Sequence, residues 1–79
     1  MNKILIFEDE PVALQRLTRM VNEIRPQYEI VGNSDRISEA VNLIESTEFD
    51  LILSDIQLSD GTCFEVFEKI DPEKPIIFI

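Results

Sequence analysis

Leu51-Ile52-Leu53-Ser54-Asp55 is a short apolar run that closes on a carboxylate, and Ile4-Leu5-Ile6-Phe7-Glu8-Asp9-Glu10 has the same build near the N-terminus. Each run is too short for a helix and offers almost nothing polar to solvent, as expected of strands buried on both faces of a parallel sheet. If the two strands lie side by side and parallel, three or four carboxylates meet at one sheet edge. Like charges packed that closely repel and raise one another's pKa unless a cation or a chemical use accompanies them. The two units therefore predict a divalent-metal site with a carboxylate nucleophile.

The surrounding sequence alternates strand and helix signals. Pro11 suits a first helical turn, where its missing N–H had no partner. Leu14, Leu17, Met20/Val21 and Ile24 then recur at helical spacing until Pro26 ends the helix. Glu29-Ile30-Val31-Gly32 reads as a brief second strand, and Asn33-Ser34-Asp35 as turn and N-cap. Ile37, Ala40, Val41 and Ile44 mark a second helix ending near Ser46-Thr47. A third strand is expected over Phe49–Leu53, with Ser54-Asp55 at its carboxyl end. Ser59-Asp60-Gly61 reads as a turn, and Thr62 with Glu65 forms a capping box for a third helix. That helix is expected to bury Phe64, Phe67 and Ile70, with Val66 flanking. After the Asp71–Pro75 connector, Ile76-Ile77-Phe78-Ile79 is a fourth, wholly apolar strand. The order βαβαβαβ implies an α/β fold, a doubly wound parallel sheet with right-handed crossovers. The 79 residues make one domain, and a final strand with no polar face predicts that further chain covers it.

Composition narrows the function classes. Sixteen acidic residues against seven basic give a net charge of −9, so these residues have no basic patch to exchange for phosphate counterions. There is no histidine, which removes His-based zinc sites and His-dependent triads. The single Cys63 cannot form an internal disulfide, and a small packing role is the expectation for it. No secretory signal pattern or membrane-length apolar run is visible, so a cytoplasmic location without membrane contact is expected.

In an open parallel sheet, ligands bind beyond the carboxyl ends of the strands. Glu8, Asp9 and Asp55 would converge there if the first and third strands are neighbours. Oxygen-only ligands that leave room for water suit Mg²⁺ or Mn²⁺ better than Zn²⁺. Asp55 could then attack a phosphorus atom and form an acyl phosphate. The local alternatives are a strand-end turn for Asp55 and a helix N-cap for Asp9; Glu10 and Asp60 read as a dipole-favoured acid and a turn former.

Ile4-Leu5-Ile6-Phe7-Glu8-Asp9-Glu10-Pro11 and Leu51-Ile52-Leu53-Ser54-Asp55-Ile56-Gln57-Leu58, with Gly61 following, resemble the receiver domain of two-component response regulators. The stretch from Asp55 to Gly61 with Phe64-Glu65-Val66-Phe67 resembles the branch that precedes a LytTR-type DNA-binding domain. The resemblance implies a flavodoxin-like receiver fold and a phosphoacceptor, Asp55, that takes its phosphoryl group from a sensor histidine kinase. It implies Mg²⁺ held by Asp9, Asp55 and the backbone carbonyl of Gln57, with Glu8 acting through a water. Ser59 departs from the proline common at that place. A receiver also uses a Ser or Thr after its fourth strand and a Lys after its fifth, both beyond Ile79. The expectation is thus the N-terminal part of a receiver over residues 1–79, with the C-terminal strand and helices missing. It is not a turnover enzyme, and DNA is reached only through an output domain absent here. The alternative is a non-catalytic interaction module that forms a homodimer or oligomer through its exposed fourth strand. An aspartyl phosphatase is weaker because position 57 is Gln, and a dinucleotide site because no glycine-rich loop follows the first strand.

Overall fold

A computed structural model describes residues 2–79. Its elements are β1 (Lys3–Phe7), α1 (Pro11–Ile24), β2 (Glu29–Ser34), α2 (Ile37–Ser46), β3 (Leu51–Ser54), β4 (Gln57–Leu58), β5 (Gly61–Thr62), α3 (Cys63–Lys69) and β6 (Ile76–Phe78). Four strands form one parallel sheet in the order β2-β1-β3-β6. This is the doubly wound arrangement, with the order reversing beside β1.

Register carries the functional consequence. Ile4 pairs with Leu51 and Phe7 with Ser54, so β1 and β3 end flush. The next residues of the two strands, Glu8 and Asp55, therefore emerge side by side, and the Asp55 N–H donates to the Phe7 carbonyl at 2.8 Å. On the other side of β1 the pairing skips Val31, a bulge that keeps Phe7 opposite Ser34.

Alternation along the strands sorts their side chains between two layers. Leu5, Phe7 and Ile52 join Ile37, Ala40 and Ile44 of α2 and Cys63 and Val66 of α3 in the main core, with Phe49 and Leu58. Ile4, Ile6, Leu51 and Leu53 point the opposite way, where α1 is the covering helix and an apolar groove of about 390 Å³ stays open beside Leu17, Ile24 and Ile77.

Four expectations change. β2 continues through Ser34 rather than stopping at Gly32, because the Glu8 N–H extends the ladder onto the Ser34 carbonyl at 3.0 Å. The N-cap of α2 is Arg36, whose side chain makes no capping bond. β3 starts at Leu51, and Phe49 enters the core from the preceding loop. In α3, Cys63 and Val66 are the fully buried pair; Phe67 and Ile70 are partly buried, while Phe64 is half-exposed. The helix turns its Cys63/Val66 edge to the core, and Phe64 and Phe67 lean on Phe78 of the edge strand, with ring centroids 5.6 and 6.4 Å away. The expected Ser59-Asp60-Gly61 turn belongs to a small hairpin, in which Gln57 pairs with Thr62 and Leu58 with Gly61.

Candidate functional site

Glu8, Asp9 and Asp55 each offer a carboxylate oxygen, and these oxygens lie within 4.8 Å of one another. The three residues expected to meet from sequence therefore do meet, at the carboxyl ends of β1 and β3. Glu8 is buried at 8 % exposure, while Asp9 and Asp55 are half-buried and open to solvent. The Glu8 carboxylate is turned back onto its own backbone: Oε2 accepts from the N–H groups of Asp9 at 3.1 Å and Glu10 at 3.3 Å.

Electrostatics follow from that placement. Burial is the main cause that pushes the Glu8 carboxyl above its ordinary value of 4.5. The Glu10 N–H pulls it back, and the charge of Asp55 with contacts to the Asp55 and Asp9 carboxylates pushes it up again. A divalent cation here would exchange mutual repulsion for attraction. The donor set is all oxygen and holds three carboxylates with open solvent beside them, which suits a hard cation. A cleft of about 290 Å³ opens next to Glu8 and Asp9, bounded by Ser34, Asp35 and Glu39.

The other singled-out residues sort as follows. Asp9 is not the N-cap of α1; Glu10 occupies that position, without a side-chain capping bond. Gln57 lies two residues past Asp55 at the start of the hairpin, exposed, its Nε2 donating to the Gly61 carbonyl at 3.2 Å. Cys63 is fully buried, and burial pushes its thiol upward against the opposing effect of the neighbouring Ser54, so it packs rather than reacts. Lys3 is remote from the acids, at the opposite end of β1, where it pairs with Glu48 at 3.2 Å.

Asp60 does more than the turn role expected of it. Its Oδ1 accepts from the Ile37 N–H at 2.9 Å and caps α2 from 23 residues away in sequence. No pattern of local spacing announces such a bond. Ser59 reinforces it, its N–H and hydroxyl both donating to the Asp35 carbonyl, at 2.9 and 2.7 Å.

The sequence pattern of the response regulator receiver domain matches residues 4–79. Among curated proteins, the chain is 34 % identical over 67 residues to the sensory transduction protein LytT of Enterococcus faecalis, covering 85 % of this chain and 27 % of that one. It is 32 % identical over 72 residues to the transcriptional regulatory protein LytR of Staphylococcus aureus, covering 91 % and 29 %. The chain thus spans under a third of the length of these relatives. Among solved structures, it superposes on the MaeR response regulator bound to beryllium trifluoride with a TM-score of 0.87 and 27 % identity, over 100 % of this chain and 66 % of that one. The response regulator PhyR from Brucella abortus gives a TM-score of 0.84 at 33 % identity, over 96 % and 32 %. Sequence pattern, sheet order and the acids at the strand ends agree, and the chain belongs to the response regulator receiver domain family.

Proposed function

We propose that the chain accepts a phosphoryl group on Asp55 from the phosphohistidine of a sensor histidine kinase, with Mg²⁺ as cofactor. The observation that carries the reading is the gathering of Glu8, Asp9 and Asp55 at one sheet edge. Asp9, Asp55 and the main-chain carbonyl of Gln57 would hold the metal, and Glu8 would act through a water. The bound cation supplies neutralisation of the negative charge on the phosphoryl oxygens. Asp55 is the reacting group: a carboxylate oxygen forms a bond to phosphorus while the phosphorus–nitrogen bond to the donor imidazole breaks, and the imidazole nitrogen keeps the electron pair. The product is an acyl phosphate on Asp55. Chemistry of this kind is positioning and charge stabilisation, which a rigid strand end supplies well. It makes the chain a signalling acceptor rather than a turnover enzyme, and the kinase donor sets it in the cytoplasm. Beryllium trifluoride is a general mimic of a phosphoryl group, and its presence on MaeR supports the same chemistry.

The test is incubation with a small acyl-phosphate donor and Mg²⁺ followed by intact-mass measurement. One phosphoryl adduct is expected on the wild-type chain and none on Asp55→Asn. An adduct that survives Asp55→Asn sinks the assignment.

A second reading, self-association through β6, is favoured by one observation. Among the described residues β6 is an edge strand, bonded to β3 on one side, and Ile77, Phe78 and Ile79 are about half exposed. Two such edges can pair as a homodimer. A single monomeric species across a concentration series in sedimentation removes this reading.

A further inference from the structure

The β2–α2 turn supplies no ligand to the acidic site, yet it is bonded to both halves of it. On one side the Glu8 N–H donates to the Ser34 carbonyl at 3.0 Å. On the other, Ser59 donates twice to the Asp35 carbonyl, and the Ile37 N–H donates to Asp60 Oδ1. The turn itself is stiffened by the Ser34 hydroxyl, which accepts from the Arg36 N–H at 3.2 Å and donates to the Arg36 carbonyl at 2.9 Å. Ser59 and Asp60 form the tip of the hairpin that begins two residues after Asp55, at Gln57. Gln57 is held within that hairpin by its pairing to Thr62 and by its side-chain bond to Gly61.

We propose that Asp60 is a positioning residue for the metal site. By capping α2 it clamps the β4–β5 hairpin to the Ser34–Ile37 turn, and this splint sets where the Gln57 carbonyl stands relative to Asp9 and Asp55. The inference rests on the reading of those three groups as metal ligands. Its physical basis is that two-residue strands are too short to hold a hairpin by themselves. Of the hairpin's residues, Leu58 is anchored by burial, but the tip is held by these polar bonds to a neighbouring element. Asp60 is exposed and stands at the hairpin tip, outside the set of three acids whose oxygens gather. Its role is to accept one hydrogen bond, which an amide oxygen can do as well. Ser59 adds a main-chain N–H that a proline at this position would lack.

The test titrates the whole 79-residue chain with MgCl₂ and follows the amide signals of Asp55 to Leu58 by NMR. Asp60→Ala is expected to bind Mg²⁺ roughly 10-fold more weakly, the size of effect seen when a group supporting a metal ligand is lost. Asp60→Asn keeps the acceptor for the Ile37 N–H and is expected to bind like wild type. Both variants remove the same negative charge, so a simple field effect would weaken them equally. Ile44→Val, which loosens α2 far from the hairpin, controls for general loss of stability and is expected to leave Mg²⁺ binding unchanged. The proposal is overturned if Asp60→Ala binds as tightly as wild type, if Asp60→Asn is as weak as Asp60→Ala, or if Ile44→Val is equally impaired. Absence of Mg²⁺ binding by the wild-type chain would instead remove the metal-site reading, and the positioning role with it.

Discussion

Glu8 bears most of the cost of placing the acids together, because it is the buried member. Its proton affinity is raised in the folded state, first by burial and then by its acidic neighbours. The sign of the linkage follows. Below the ordinary value of 4.5 the carboxyl is protonated in folded and unfolded chains alike. As pH rises from there through the raised folded value, the unfolded chain releases its proton first, so metal-free stability falls across that window and stays reduced above it. Glu8→Gln keeps an oxygen for the N–H groups of Asp9 and Glu10 but carries no charge. In EDTA it is expected to be more stable than wild type at about pH 7, with the difference shrinking toward the acid end of the window in urea unfolding. A difference independent of pH would show that ionisation of Glu8 is not its source. Sequence puts Glu8, Asp9 and Asp55 at strand ends, where they meet only if the first and third strands are neighbours; that adjacency, and the burial of one acid, are invisible at the residue scale.

At the scale of elements, the hairpin and α3 show what local sequence can and cannot say. The capping box is legible because its partners lie within one turn: the Thr62 N–H donates to Glu65 Oε2 at 2.9 Å. Gly61 is legible as a turn residue, and the structure adds why a larger residue is excluded. Its φ is +153°, and a Cβ there would stand 2.7 Å from Ile37 Cδ1 and collide with the Glu65 carboxylate of the same box. Gly61→Ala is expected to cost about 1–3 kcal/mol from strained backbone and displaced neighbours. Chemical denaturation measures it, and a loss under about 0.5 kcal/mol, the range of ordinary surface changes, would contradict that account. The buried face of α3 was not legible, since Cys63, Phe64, Val66, Phe67 and Ile70 leave several apolar stripes available. In the fold the Cys63/Val66 stripe meets the main core, and Phe64 and Phe67 lie against Phe78 of β6.

Across the whole molecule, the sheet is covered unevenly. Among the described residues, one face packs α2 and α3 into the main core, while the other carries α1 and an open apolar groove that reaches Ile77. β6 bonds inward through the Pro75 carbonyl and the Ile79 N–H, so by alternation the Phe78 N–H points away from β3. Phe78→Pro removes that outward donor and leaves the inner ladder, and Phe78→Ala, which loses the same ring contacts to Phe64 and Phe67 but keeps the N–H, is its control. If copies pair through this edge, sedimentation velocity is expected to show Phe78→Pro as monomer at concentrations where wild type associates. Equal association of the two would place the contact elsewhere.

The alternation of strands and helices, the strand-end position of the acids and the cap of α3 are all written in the chain's local order. They depend on residues within a turn of helix or a few strand positions of one another, where periodicity and capping chemistry act. The flush register that joins Glu8 to Asp55, the face that α3 buries, and the Asp60 cap on α2 arise only in the folded molecule. Those depend on which surfaces meet after the chain has folded back on itself, and a hydrogen bond spanning 23 residues leaves no mark in local spacing.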